Sequence, residues 1–221
     1  MKTDSQLQAD VLEELRADAR VNPSEIAVAV KDGVVSLGGE VDTLSKRIAA
    51  GQDAERVHGV RAIVNDLRVH LSIDQRSSDS DIAHAAVNAL LWDTEVPDKT
   101  VKVRVQNGWV WLVGEADWNY QRLAAERAIE NIAGVKGVTN IVRLRPRVPA
   151  TDLEEDLTRA LRRVAKLADQ TIEVTVHGTT VRLSGSVATW ADRTVAEHVV
   201  WSAPGVTAVE NELTVRAGIT A

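Results

Sequence analysis

Two tryptophans and four cationic residues recur at alternate positions in the middle third of the sequence. They are Lys102 and Arg104, Trp109 and Trp111, and Arg143 and Arg145. Successive side chains of an extended strand point to opposite faces, so this spacing predicts that all six lie on one face of a sheet. Indole rings favour the boundary between water and membrane, and Lys or Arg pairs with anionic headgroups. The pattern therefore predicts a binding surface.

Three interpretations of this surface compete. Two exposed indoles make a costly patch on a monomer, so the tryptophans could pack on another domain or subunit, with Lys102 and Arg104 as cation–π partners. The surface could instead bind a ligand or a membrane, or it could simply be exposed. Single-stranded nucleic acid could stack on the indoles, but the acidic regions on both sides disfavour it because phosphate binding depends on net charge.

Charge is unevenly distributed along the 221 residues, which carry a net charge of −6. Residues 1–74 hold nine basic and thirteen acidic side chains, residues 75–148 hold ten and nine, and residues 149–221 hold seven and ten. A general attraction of the whole chain to nucleic acid or to anionic membranes is thus disfavoured. The middle third is the exception.

The sequence contains no pattern typical of a catalytic or metal site. Its histidines occur singly, at His58, His70, His84, His177 and His198. Neither a His-x-x-x-His nor a Gly-x-Ser-x-Gly motif is present. The absence of cysteine excludes disulfides and thiolate–metal sites. We therefore predict that the protein is not an enzyme and binds no cofactor.

The elements that position the surface belong to a unit that is repeated three times. Offsets of 75 and then 71 residues superpose four sets of landmarks. They are Gly39, Gly114 and Gly185; Arg47, Arg122 and Arg193; Gly59, Gly134 and Gly205; and Asn65, Asn140 and Asn211. We predict three domains, at 1–74, 75–148 and 149–221, with linkers at 74–80 and 145–151.

Each copy shows the same order of patterns. A helical repeat of apolar residues is followed by two alternating segments, a second helix and a last strand. Asp32-Gly33 and Asn107-Gly108 predict tight hairpin turns in the first two copies, and the third copy departs from this turn. An α-β-β-α-β unit packs most economically as a three-stranded mixed sheet with two helices on one face. The predicted fold class is therefore α+β, with three tandem small domains.

Several single residues have structural interpretations. We predict that the second strand of each copy ends at Gly39, Gly114 or Gly185, where a side chain would clash or φ is unusual. Ser78 with Asp81, and Thr151 with Glu154, have the spacing of helix-capping pairs. Trp92 and Trp201, each at the end of a helix, are predicted to be core or core-edge residues.

The segment 108–118, Gly-Trp-Val-Trp-Leu-Val-Gly-Glu-Ala-Asp-Trp, and the segment 133–140 resemble the BON domain family, the "bacterial OsmY and nodulation" module. The other copies match more loosely, at 34–41 and 181–187, in an OsmY-like tandem arrangement of three copies. The resemblance implies binding to phospholipid or membrane surfaces, an association with osmotic stress, and in some members potassium binding. It implies no catalytic residues.

We therefore expect a non-enzymatic, stress-response-type protein that binds anionic phospholipid or a membrane-associated partner. One alternative is a structural or interaction scaffold, or a homo-oligomer in which the two tryptophans are buried between units. A weaker alternative is binding of a monovalent cation such as potassium. No apolar run is long enough to cross a bilayer. The N-terminus has no basic-then-apolar segment, which predicts a cytoplasmic protein, or a periplasmic one if an export signal has been removed.

Overall fold

A computed structural model describes residues 2–70, 77–97, 100–145 and 153–216. The first copy consists of α1 (Asp4–Ala17), a 3-10 turn (Pro23–Glu25), β1 (Ile26–Lys31), β2 (Val34–Val41), α2 (Leu44–Arg56), β3 (Ala62–Asn65) and β4 (Arg68–Val69). The second consists of α3 (Asp79–Trp92), β5 (Val101–Gln106), β6 (Trp109–Ala116), α4 (Asn119–Glu130) and β7 (Gly137–Leu144). The third consists of α5 (Leu153–Arg163), β8 (Thr171–His177), β9 (Thr180–Val187), α6 (Trp190–Trp201), β10 (Ala208–Asn211) and β11 (Thr214–Val215).

The three copies share one sheet topology, which confirms the predicted α+β class. In each copy the hairpin is antiparallel, and the last strand pairs in parallel with the second strand of the hairpin. The second strand is therefore central and the first strand lies at an edge. In the first and third copies the last strand is broken into two pieces, β3 with β4 and β10 with β11.

The division into compact units differs from the division into copies. One unit comprises Met1–Gly39, Ile48–Leu67 and Arg147–Ala221, and the other comprises Glu40–Arg47 and Arg68–Pro146. The three domain boundaries inferred from the repeat remain a prediction. The linkers at 74–80 and 145–151 and the Thr151 cap lie wholly or partly outside the described residues, whereas Ser78 and Asp81 do form a reciprocal capping box on α3.

The landmark glycines lie inside the second strands and not at their ends, so the prediction of their position is corrected. Strands β2, β6 and β9 each continue for two residues beyond Gly39, Gly114 or Gly185. All three glycines have positive φ, and a Cβ on each would overlap a backbone carbonyl at the start of the first strand, that of Glu25, Thr100 or Thr171. The absent side chain lets the two strands approach at this point, and the second strand then extends beyond it.

The landmark asparagines tie the last strand to the second helix. Asn140 donates from Nδ2 to the carbonyl oxygen of Arg122 (2.7 Å) and to Glu126 Oε2 (3.1 Å), while its Oδ1 accepts from the backbone N–H of Val142 (3.2 Å). Asn211 makes the same three kinds of bond in the third copy. The repeated Arg and Asn therefore mark a structural network, because a buried amide is stable only when its polar atoms are bonded.

A carboxylate at the start of the first helix holds the hairpin turn. Asp79 accepts from the backbone N–H groups of Asn107 (2.7 Å) and Gly108 (2.8 Å). Asp4 makes the equivalent bonds to Asp32 and Gly33 in the first copy. The two turns have positive φ at both central residues, which turns their N–H groups towards the helix and away from the hairpin.

Asp79→Ala is expected to lower the free energy of unfolding of the second copy by about 1–3 kcal/mol, because it removes the acceptor of two backbone N–H groups. Urea denaturation followed by tryptophan fluorescence measures this change, since four of the six tryptophans lie in the second copy. Asp4→Ala is the matched control, because the first copy has no tryptophan and the fluorescence transition should stay in place. An unchanged transition for Asp79→Ala would contradict the role assigned to this carboxylate.

Candidate functional site

The register of the second sheet brings most of the predicted surface residues together on its outer face. Arg104 lies opposite Trp111 across β5 and β6, and Trp111 lies opposite Thr139 across β6 and β7. Trp109 lies opposite Gly137 in the next row. The neighbouring Val110 and Leu112 are fully buried on the other face. The strand alternation thus sends the indoles away from the core, as the spacing predicts.

Trp109 is held in a defined orientation although 38% of it is exposed. Its Nε1 donates to Thr139 Oγ1 at 2.9 Å. Its ring lies over Gly137, where an added Cβ would stand 2.5 Å from the ring. These two contacts hold the indole in place before any ligand binds. It therefore loses little rotamer freedom on binding.

Trp111 is half-buried and has a cation over its ring. The guanidinium carbon of Arg104 lies 5.5 Å from the centroid of the Trp111 ring. At an exposed position such a cation–π contact contributes about 0.5–1 kcal/mol. Arg104 also lies 3.4 Å from Gln106 Oε1 on the same strand. Arg104 thus lies over an indole, whereas the sequence alternative had both Lys102 and Arg104 as cation–π partners.

The four cations are not equivalent. Lys102, Arg104 and Arg143 are exposed on the outer face, but Arg145 bonds Glu115 Oε2 at 3.1 Å and lies 3.5 Å from Asp117. The hydrogen bond to Glu115, assisted by the charge of Asp117, raises the pKa of the Arg145 guanidinium. Arg145 is therefore largely neutralised by these carboxylates and adds less positive potential than the other three.

The surface also contains three residues outside the six predicted candidates. Val113 lies opposite Ile141 in the row beyond Trp111, and both are exposed, Ile141 by 51%. Glu115 lies opposite Arg143 on the same face. All three continue the same alternation, which places Ile141 outward with Arg143 and would also have indicated Val113 and Glu115. We define the strand-face patch as Trp109, Trp111, Val113 and Ile141.

The equivalent face of the other copies lacks this patch. In the first copy it carries Val34, Ser36 and Gly38, and in the third copy it carries Thr180, Arg182 and Ser184. Arg182 bonds Glu210 at 2.8 Å. The combination of outward-facing indoles and cations is therefore specific to the second copy.

A second exposed apolar surface lies on α3 and corrects one prediction. Trp92, expected in the core or at its edge, is 83% exposed, and Leu91 is 65% exposed. Helix α3 buries Ile82, Ala86 and Leu90 at a spacing of four. Trp92 follows Leu90 by two residues, which is about 200° around a helix, so it points away from the sheet. Trp201 is half-buried against the third core.

The described residues contain no cluster of three or more histidine, aspartate or glutamate side chains that could hold a metal. The described helices are also too short or too polar for any of them to cross a membrane. The outer face presents indoles, aliphatic side chains, guanidinium or ammonium groups, and the carboxylate of Glu115.

Comparison with known proteins gives matches along most of the chain. The sequence profile of the BON domain matches three segments, residues 3–70, 78–146 and 149–217. The 21 kDa hemolysin of Actinobacillus pleuropneumoniae is 34% identical over 131 residues, which are 58% of this chain and 64% of the relative. The osmotically-inducible protein Y of Escherichia coli (strain K12) is 30% identical over 141 residues, 62% and 70% of the two chains. The outer membrane lipoprotein DolP of Haemophilus influenzae is 32% identical over 130 residues, 58% and 64%. The chain therefore spans less than two thirds of the length of two of these relatives.

Proposed function

The chain belongs to the BON domain family, and on that premise we propose that it is a non-enzymatic, stress-response-type protein that binds anionic phospholipid surfaces through its second copy. The proposal rests on the strand-face patch with Lys102, Arg104 and Arg143 around it. Indoles and aliphatic side chains gain by leaving water for the lipid interface, while nearby cations gain from the negative surface potential. The outer copies are acidic and support no such attraction.

The relatives bear on the compartment and the setting. One is described as osmotically inducible and another as an outer membrane lipoprotein. We propose by analogy that this chain acts at a membrane of the cell envelope under osmotic stress. The cytoplasmic location expected from the N-terminal residues is not confirmed by these relatives.

Charge reversal on the patch provides the first test. Arg143→Glu should weaken binding to vesicles of equal parts phosphatidylglycerol and phosphatidylcholine by about tenfold or more, because each cation near such a surface contributes about 1 kcal/mol. Arg68 occupies the same position in the first copy and is also exposed. Arg68→Glu is therefore the matched control: it changes the net charge equally and should leave binding nearly unchanged. Co-sedimentation measures both variants.

Two outcomes of the same assay would contradict this site. If wild type does not sediment with the anionic vesicles at low salt, the lipid function itself fails. If Trp92→Ala abolishes sedimentation and Trp111→Ala does not, binding resides on α3 and not on the strand-face patch. Raising the salt concentration should weaken a true headgroup interaction, because the Debye length falls to about 3 Å at 1 M.

A protein-interaction function is the second candidate, favoured by the exposed aliphatic pair Val113 and Ile141. In this case the strand-face patch would join copies of the chain, or dock a membrane-associated protein. Sedimentation velocity distinguishes self-association from the docking of another protein. Self-association that is lost in Trp111→Ala, with lipid binding unaltered, would favour the homo-oligomer. A monomer at all concentrations would exclude it.

A further inference from the structure

The first strand of every copy lies at a sheet edge, and its outward backbone groups need partners. Within the described residues, β1, β5 and β8 each pair on one side only. In the first copy Val28 lies opposite Leu37, and the Leu37 carbonyl accepts from Asp66 N–H on the far side of β2. Paired residues of an antiparallel hairpin direct their backbone groups alternately towards and away from each other. The backbone N–H and C=O groups of Val28, and those of Val30 two residues on, therefore point outward from the sheet edge.

The outer copies cap this edge with a side chain from the first helix. Gln8 Nε2 donates to the carbonyl oxygen of Val28 at 2.8 Å. In the third copy the backbone N–H of Val176, the equivalent of Val30, donates to Glu154 Oε2 at 3.3 Å. Gln8 and Glu154 occupy the same position under the repeat offsets. Such capping is one way in which proteins protect exposed edge strands.

The second copy has Ala83 at this position. A methyl group neither donates nor accepts hydrogen bonds, so α3 cannot cap the β5 edge from there. The outward backbone groups of this edge belong to Val103 and Val105, the equivalents of Val28 and Val30. Among the described residues, the β5 edge of the second copy therefore lacks the side-chain cap that Gln8 and Glu154 provide in the other copies.

An apolar cleft accompanies the uncapped edge. A cleft of about 440 Å³ between α3 and β5 is lined by Val87 and Leu91 on the helix, by Pro97 after it, and by Val101 and Val103 on the strand. The corresponding cleft of the third copy has Thr158 and Arg162 where α3 has Val87 and Leu91. Trp92 likewise corresponds to Arg163. The cleft is therefore more apolar in the second copy than in the third, with Lys102 as the charged residue in its lining.

The β5 edge and the cleft beside it together indicate which kind of molecule fits this site. Only a polypeptide backbone satisfies a row of strand N–H and C=O groups, which is how β-augmentation works. The side chains of an added strand would alternate between the apolar cleft and the outer face, where β5 carries Lys102 and Arg104. A second β5 is disfavoured as the occupant, because it would place its own Lys and Arg beside these cations.

We propose that the β5 edge of the second copy binds an extended segment of a partner protein in which apolar residues alternate with acidic ones. The apolar residues enter the cleft beside Leu91, and the acidic ones pair with Lys102 and Arg104. This site lies at the strand edge and does not include the strand-face patch, but it shares Lys102 and Arg104 with the proposed lipid function. The second copy would then have two ligands, a membrane surface and a strand.

A synthetic octapeptide in which valine alternates with glutamate, with blocked termini and a fluorophore, tests the proposal on the full chain. Fluorescence anisotropy should show saturable binding, and hydrogen exchange of the Val103 and Val105 amides should slow in the complex. The same peptide with methyl groups on the backbone nitrogens that face β5 should not bind. Equal binding of the methylated peptide, or no saturable binding of the unmodified one, would overturn the proposal.

Variants of the chain supply the matched comparison. Ala83→Gln restores the cap of the first copy, and Leu91→Arg installs the residue of the third; each should weaken peptide binding by about tenfold or more. Asn88→Gln, exposed on the same helix, should leave binding unchanged. Trp109→Ala, which removes the patch indole that packs on Thr139 and Gly137, should also retain peptide binding and weaken vesicle binding, which distinguishes the two functions. Unaltered binding in both Ala83→Gln and Leu91→Arg would contradict the edge site.

Discussion

Gly39→Ala is expected to unfold the first copy, whereas Gly38→Ala beside it is expected to leave the stability of that copy unchanged. Gly39 has φ +128°, and an added Cβ would overlap the backbone carbonyl of Glu25. A backbone atom fixed in a sheet cannot move aside, so we expect a loss of about 4 kcal/mol or more, a large part of the total stability of a small domain. Gly38 has an ordinary φ and open space around its Cβ position, and alanine even lowers the entropy of the unfolded chain there.

Circular dichroism and hydrogen exchange measure this contrast, because the first copy has no tryptophan. The amides of Val35 and Leu37, both buried in β2, should lose protection in Gly39→Ala and keep it in Gly38→Ala. Gly114→Ala and Gly185→Ala should behave like Gly39→Ala in their own copies, since they meet the carbonyls of Thr100 and Thr171 in the same way. A normally protected first copy in Gly39→Ala would contradict the assignment of these glycines to a close backbone approach.

Asp53→Ala should stabilise the first copy at neutral pH, by up to about 3 kcal/mol. Asp53 is fully buried on α2, its Oδ1 pairs with Arg56, and its Oδ2 has no partner in the described structure. Burial, reinforced by the charge of Asp18, raises the pKa of Asp53 to about 6. Glu14 also opposes its ionisation, while Arg56 and Arg20 favour it. The second and third copies have Ala128 and Val199 at this position, so alanine fits the fold.

The stability gained by Asp53→Ala over wild type should increase with pH. Because the pKa of Asp53 in the folded chain lies above its ordinary value of 3.8, the folded state binds more protons between these values, and stability falls as pH rises from about 4 to about 6. The free energy of unfolding of Asp53→Ala should therefore exceed that of wild type by the full amount at pH 7.5 and by little at pH 4. Urea denaturation followed by circular dichroism measures both. Equal stability of wild type and variant at pH 7.5 would show that the buried carboxylate costs nothing.

Much of the fold was predictable because each strand has one buried and one exposed face. The alternation of apolar residues and tryptophans over 109–112 therefore predicted both the strand and the face on which the indoles lie. The repeat offsets then transferred the helix and strand order from the clearest copy to the others. The two-residue turns followed from Asp32-Gly33 and Asn107-Gly108, whose residues accept the positive φ that such turns require.

The features that were missed depend on contacts between elements distant in sequence. The bond from Asp79 to the hairpin turn and the cap from Gln8 to Val28 join residues 20 or more positions apart. Trp92 was misplaced because tryptophan is commonly buried, although its angle to Leu90 around α3 pointed to exposure. The continuation of β6 beyond Gly114 was missed because glycine usually weakens a strand, whereas here it permits a close approach.

The central claim is that the strand-face patch of the second copy meets the membrane, and fluorescence quenching tests it most directly. Phosphatidylglycerol vesicles with bromine atoms on the acyl chains near the headgroups should quench the tryptophan emission of wild type and of Trp92→Phe. They should no longer quench a chain in which Trp109 and Trp111 are both phenylalanine. Quenching that persists in that double variant and disappears in Trp92→Phe would contradict the claim and assign the contact to α3.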